Sequence, residues 1–83
     1  MSVSEILLDI AKPHTPNIIE FAKVLTEIDG VEEVKIEVVE MDIKIETAKL
    51  RIKGNNLDLN KIEEKIRKLG GIIRSIDGVT VTK

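Results

Sequence analysis

The chain of 83 residues contains no cysteine, tryptophan or tyrosine, and its only aromatic residue is Phe21. The absence of cysteine excludes disulfide bonds, thiolate metal sites and cysteine nucleophiles. With one aromatic side chain, the sequence also lacks the residues on which RNA-binding sheets stack bases. Basic and acidic residues, 13 and 15 in number, are interspersed and give a formal charge of -2. Since no field of one sign attracts nucleic acid or anionic lipid, we expect neither nucleic acid nor a membrane as a partner.

Long hydrophobic runs are absent as well. No apolar stretch approaches the roughly 18 residues that a membrane-spanning helix needs. Residues 1–4 lead directly into strand-like sequence, without the basic region of a signal peptide. These features predict a cytoplasmic protein. At this length we expect a single domain over residues 1–83, with a small core that association with other copies would enlarge.

The succession of strand, helix, glycine and strand occurs twice in the chain. In the first unit, alternation predicts a strand over Ser4–Ala11 with its even-numbered aliphatic residues inward. Thr15 as N-cap and Pro16 at the first helical position predict a helix that runs to about Asp29. Gly30 then ends the helix in a left-handed conformation.

The second unit repeats this order. A strand over Thr47–Lys53 turns Ala48, Leu50 and Ile52 inward, and Asp58 caps a helix that Gly70-Gly71 ends. Ile72 to Thr82 form the last strand, which Asp77-Gly78 interrupts as a bulge or a tight turn. Two such units predict an α+β, ferredoxin-like βαββαβ sandwich. Its antiparallel sheet has the order 4-1-3-2, with both helices on one face and the other face open.

The second strand has an irregular apolar pattern. Residues 34, 36 and 38 follow one phase, and the phase then slips. The residues after the slip fall on the opposite side, around an unusually apolar hairpin. Together with one residue of the first strand they form a predicted interface between copies of the chain: Leu7, Val39, Met41, Ile43 and Ile45. The alternative is a bulge that turns the residues after the slip back into the core.

The loop between the first strand and the first helix offers a candidate ligand site. Lys12, His14 and Thr15 surround the predicted helix N-terminus, where free N–H groups and the helix dipole favour an anion. A small anionic or amino-acid ligand would fit this chemistry. Helix capping by Thr15 alone is the competing interpretation. His14 has no visible nucleophile beside it, so a catalytic role is not predicted.

Carboxylates near the strand ends give a candidate cation site. Glu40 and Asp42 lie beside the predicted turn, and oxygen ligands of this kind suit calcium or magnesium. Asp77 joins them only if neighbouring strands or chains bring it close. The competing interpretation is that these acidic residues, and Glu46 with them, are solvated or pair across the strands with Lys44, Lys49 and Arg51.

Several motifs resemble one small archaeal family, domain of unknown function 211. They are Leu8-Asp9-Ile10, Lys12-Pro13-His14 with Pro16, Gly30-Val31-Glu32, Glu40-x-Asp42, Gly54-Asn55 with Leu57-Asp58, and Gly70-Gly71 before Ser75-x-Asp77. The resemblance covers nearly the whole chain. It implies a ferredoxin-like fold that assembles in an archaeal cytoplasm into homo-oligomers, of which a ring is one form. It brings no established activity.

Three functional hypotheses follow from the sequence. The first is a non-enzymatic protein that self-associates through the open sheet face and the apolar hairpin. The second is a regulatory module that binds an anionic or amino-acid ligand at the loop around His14. The third is a divalent-cation-binding protein that uses Glu40 and Asp42.

Overall fold

A computed structural model describes residues 1–83. In chain order the elements are β1 (Ser2–Pro13), α1 (Ile18–Leu25), β2 (Val31–Met41), β3 (Ile45–Gly54), α2 (Leu59–Lys68) and β4 (Ile72–Thr82). The strands form one antiparallel sheet in the order β2-β3-β1-β4. This is the predicted order 4-1-3-2 in reverse direction, and the α+β ferredoxin-like fold is confirmed.

The core lies between the helices and one face of the two central strands. Ile6, Leu8 and Ile10 of β1 are buried, as are Ala48, Leu50 and Ile52 of β3, in agreement with the predicted alternation. From the helices, Phe21, Leu25, Ile62 and Ile66 complete this layer. Phe21, the only aromatic residue, is fully buried. Burial of each such side chain contributes about 2 kcal/mol to stability.

The predicted start of the first helix is wrong by two residues. The N-cap is Asn17 rather than Thr15, because the Asn17 side chain accepts a hydrogen bond of 2.9 Å from the Glu20 N–H. Helix α1 therefore begins at Ile18, and Pro16 lies outside it. Its regular part ends at Leu25, before the predicted Asp29, while Gly30 has the expected left-handed conformation with φ of +89°. Asp58 caps α2 as predicted, accepting from the N–H of Asn60.

Bulges in the two edge strands change the face of the sheet to which their side chains point. In β2, Val38 pairs with Ala48 and Glu40 with Thr47, so Val39 is an extra residue between them. This is the position of the predicted slip in the apolar phase. In β4 the register shifts at Asp77, which confirms the bulge predicted at Asp77-Gly78 and excludes a tight turn there, because β4 continues through it.

The strands are longer than the helices that cover them. At about 3.4 Å per residue, strands of 10 to 12 residues reach about 34–40 Å. Helices of 8 and 10 residues reach only about 12–15 Å. The tip of the β2–β3 hairpin and part of β4 consequently lie beyond the helical layer. None of the helices is long and apolar enough to cross a membrane.

Candidate interaction surface

The predicted interface residues are all exposed. Their exposed fractions are 38% for Leu7, 52% for Val39, 64% for Met41, 90% for Ile43 and 44% for Ile45. An aliphatic side chain at a solvated turn gains nothing from its exposure, so this concentration at one hairpin is informative. We call Met41, Ile43 and Ile45 the hairpin surface.

The five residues do not share one face. Met41 pairs with Glu46, which is buried on the helix-covered side, so Met41 faces that side and not the opposite one as predicted. The bulge at Val39 causes this reversal, and Met41 stays exposed because it lies beyond the helices. Ile45 pairs with Pro13 on the open face, in phase with Lys49. The hairpin surface thus wraps around the end of the sheet.

Local hydrogen bonds define the turn that carries Ile43. The Asp42 N–H donates to the Ile45 carbonyl at 2.8 Å, and the Ile43 N–H donates to Oδ1 of Asp42 at 2.7 Å. Two backbone N–H groups of the turn therefore have acceptors within the turn itself, while the Ile43 side chain is exposed at its tip.

The open face of the sheet is mainly polar at its centre. Lys35 and Glu37 form an ion pair of 3.1 Å, and Arg51 donates a hydrogen bond to Glu5. That bond to Arg51 is the main reason why the pKa of Glu5 lies below its ordinary value. A surface of paired charges is not the apolar platform that the open-face part of the interface hypothesis requires.

Leu7 has a local packing role on this open face. A Cβ added at Gly78 would lie 2.9 Å from Cδ1 of Leu7, so the Leu7 side chain covers the glycine on the neighbouring strand. The contact accounts for the small residue at position 78.

The loop after β1 contains a buried ionic cluster. The Lys12 side chain is inaccessible to solvent, and its Nζ donates to Oε1 of Glu46 at 3.1 Å and to the Pro13 carbonyl at 2.7 Å. Its ammonium also lies 5.6 Å from the centre of the Phe21 ring, within cation–π range. His14 Nδ1 lies 2.7 Å from Oε2 of Glu46. One carboxylate thus joins the two basic residues predicted to bind a ligand.

Charge pairing shifts the pKa values of two groups in this cluster. The hydrogen bond that His14 donates to Glu46 is the largest cause of the raised pKa of His14, followed by the bond to the Ile43 carbonyl. The hydrogen bond from His14 is in turn the main cause of the lowered pKa of Glu46, against the opposing effect of burial. Both shifts favour the charged forms.

Thr15 lies apart from the cluster. Its side chain is exposed, and it neither caps α1 nor contacts Glu46 in any hydrogen bond. The helix N-terminus that it was expected to share with Lys12 and His14 is occupied by the Asn17 side chain. Lys12 and His14 already use their donors within the protein, which leaves them little capacity for an anion.

The three predicted cation ligands are not brought together. Glu40 lies on the edge strand β2 and Asp77 on the opposite edge strand β4. Three strand spacings, about 14 Å, separate those edges. Asp42 lies in the turn, where Oδ1 accepts a backbone hydrogen bond. No group of three histidine or acidic side chains converges anywhere in the molecule.

Sequence reasoning did not identify a second apolar surface, on the edge strand β4. It consists of Ile76, Val79 and Val81, which pair with residues of the helix-covered face of β1 and are more than half exposed. The predicted bulge at Asp77 could have revealed this surface, because a bulge there brings residues 76 and 79 to the same side of the sheet.

A shallow groove lies at the other edge of the sheet, between α1 and β2. Its volume is about 410 Å³, and its apolar lining consists of Ile18, Ile19, Ala22 and Ile36.

The sheet order and the uncovered face define a small ferredoxin-like α+β protein. The family model of DUF211, described as uncharacterized ArCR, matches residues 4–83. The chain belongs to this family. It is 46% identical over 81 residues to the "Uncharacterized protein MJ0319" of Methanocaldococcus jannaschii, a match that covers 98% of this chain and 84% of the relative.

Proposed function

We propose that this protein is a non-enzymatic homo-oligomer in which the hairpin surface packs against neighbouring copies. The observation that carries the proposal is Ile43, an aliphatic side chain 90% exposed at the tip of an internally hydrogen-bonded turn. Met41 and Ile45 extend the apolar surface on either side of it. Burial of three such side chains against another copy would contribute about 5 kcal/mol.

A second copy of the chain is the occupant that we favour. Every copy brings both the hairpin surface and other exposed apolar residues, so self-association needs no further component. A chain of 9.3 kDa also has a small core of its own, and association would add buried apolar area to it.

The proposed role is non-enzymatic because His14 is not available as a general base. His14 is the only histidine, and both of its ring nitrogens are engaged by acceptors. A general base needs a free nitrogen within reach of a substrate or nucleophile. The ligand hypothesis has less support because Lys12 and His14 bind Glu46. The cation hypothesis has less support because Glu40 and Asp77 lie at opposite edges of the sheet.

The test is the solution mass, measured by light scattering at micromolar concentration. We expect a mass above 9.3 kDa for the wild-type chain and a monomer for Met41→Asp combined with Ile43→Asp. The matched control is Asn56→Asp combined with Asn60→Asp, which adds the same charge at exposed positions away from the hairpin. Circular dichroism establishes that both variants remain folded.

Two results would contradict the proposal. One is a monomeric wild-type chain, and the other is an unchanged mass in the hairpin variant. Repeating the measurement with calcium and then with a chelator separates the cation hypothesis, which requires a mass that depends on calcium.

A further inference from the structure

His14 is surrounded by hydrogen-bond acceptors only. Its Nδ1 lies 2.7 Å from Oε2 of Glu46, and its Nε2 lies 2.9 Å from the Asp42 carbonyl oxygen and 3.0 Å from that of Ile43. Carboxylate and carbonyl oxygens accept and cannot donate. Both ring nitrogens must therefore carry a proton, and the geometry fits the imidazolium form alone. A neutral ring would direct one lone pair at an oxygen.

These bonds connect three separate parts of the chain. His14 follows the end of β1, Glu46 lies near the start of β3, and the two carbonyls belong to the turn between β2 and β3. The other hydrogen bonds of Asp42 and Ile43 stay within the turn. The imidazolium thus joins the tip of the hairpin to the body of the sheet.

The charges around His14 favour its protonated form. Glu46 faces it from β3, and the other oxygen of that carboxylate binds Lys12 of β1. The turn carries one further charge of each sign, Asp42 and Lys44. Helix α1 contributes only the Phe21 ring, which faces Lys12. The raised pKa of His14 agrees with this balance, since the Glu46 carboxylate in direct contact outweighs the more distant cations.

We propose that protonated His14 is a pH-sensitive latch that fixes the β2–β3 turn to the end of β1. In the charged form the Nε2–H donates to the Asp42 and Ile43 carbonyls. Loss of one proton leaves a single N–H donor on the ring. Because the Glu46 carboxylate is a stronger acceptor than a carbonyl, the remaining proton stays on Nδ1, and the two carbonyls of the turn lose their donor. The turn is therefore ordered below the pKa of His14 and becomes mobile as the pH rises through it. Ile43 is the centre of the hairpin surface, so the latch also controls whether that surface is held in a fixed position. This second step rests on the proposed function.

The experiment is an NMR titration of the full chain. The ring C–H shifts of His14 report its pKa, and the ¹⁵N heteronuclear NOE of Ile43 and Lys44 reports the order of the turn. We expect a pKa above the ordinary 6.5. We also expect the NOE at both turn residues to fall with the same midpoint.

Two variants control the titration. His14→Gln keeps a polar side chain that cannot become cationic, and we expect its turn to be mobile at low as well as high pH. Lys44→Ala changes the charge of the turn without touching the latch, and we expect it to retain the wild-type pH dependence. A turn whose order stays constant while His14 titrates would overturn the proposal, as would a His14 pKa at or below 6.5.

The solution mass of the same samples distinguishes this proposal from the preceding one. The NOE tests the latch because it reports the order of the turn within one chain, whatever the state of association of that chain. The solution mass tests self-association. A turn that becomes mobile at high pH in a monomeric protein would therefore support the latch and contradict self-association.

Discussion

Lys12 and Glu46 lie directly opposite each other on β1 and β3, and their side chains form an ion pair of 3.1 Å on the helix-covered side of the sheet. Ammonium and carboxylate are both withdrawn from solvent at the end of the core. A buried charge is tolerated only when it is paired and hydrogen-bonded, so each of these residues depends on the other.

The loss of stability on removing Lys12 and the loss on removing Glu46 should not be additive. We expect Lys12→Met to lower the free energy of unfolding by about 3 kcal/mol, because it leaves the Glu46 carboxylate buried with His14 as its only partner. The double variant Lys12→Met with Glu46→Leu should lose less than the sum of the two single changes. Urea denaturation of all four proteins measures the coupling, and additive losses would show that the pair is not coupled.

The positions of Lys12 and Glu46 could have been predicted from the sequence. Lys12 continues the inward parity of Ile10, and Glu46 precedes the inward Ala48 by two residues. Simple alternation places both side chains on the core side. The sequence was interpreted with Glu46 as one of several carboxylates that are solvated or paired with a basic residue. Acidic residues are rarely buried, and pairing overrides that preference here. Direct opposition of the two residues depends on register, which the strand patterns alone do not define.

Other features depended on competition between neighbouring signals. Thr15 and Asn17 are both good N-cap residues, and sequence alone favoured Thr15 because a proline follows it. The facing of Met41 depended on whether the slip at Val39 was a bulge, which only the pairing with β3 decides. The fold itself was predictable because hydrophobic periodicity and the glycine positions agree in both units.

The helix cap gives a direct prediction. Asn17→Ala should lower the free energy of unfolding by about 1 kcal/mol, because the Glu20 N–H loses its acceptor. Thr15→Ala should change it by less than about 0.5 kcal/mol, since the exposed Thr15 side chain caps nothing. Thermal or urea unfolding of the two variants compares them, and a larger loss at Thr15 would restore the original assignment of the cap.

The stability of the protein should fall at both high and low pH. The pKa of His14 is raised from 6.5, so its contribution is complete below pH 6.5 and is lost as the pH rises through the raised pKa. The pKa values of Glu46 and Glu5 are lowered from 4.5, so their contributions are complete above pH 4.5 and are lost as the pH falls through the lowered values. The protein should be most stable between these limits.

Urea midpoints measured across the pH range test this dependence. His14→Gln should flatten the alkaline side of the profile. It should also reduce the acid-side loss, because Glu46 then lacks the imidazolium that lowers its pKa. Part of the acid side should persist through Glu5, which keeps its hydrogen bond from Arg51. An alkaline side that is unchanged in His14→Gln would contradict the assignment.

Two glycines should respond very differently to the same substitution. A Cβ at Gly54 would overlap the carbonyl oxygen of Gly30, and because two backbone segments meet there, neither can move aside easily. A Cβ at Gly78 would lie 2.9 Å from Cδ1 of Leu7, which can change its rotamer. We therefore expect Gly54→Ala to lower the free energy of unfolding by about 3 kcal/mol or more, and Gly78→Ala by about 1 kcal/mol. Chemical denaturation measures both, and equal losses would mean that the end of β3 separates from Gly30 more easily than its close contact indicates.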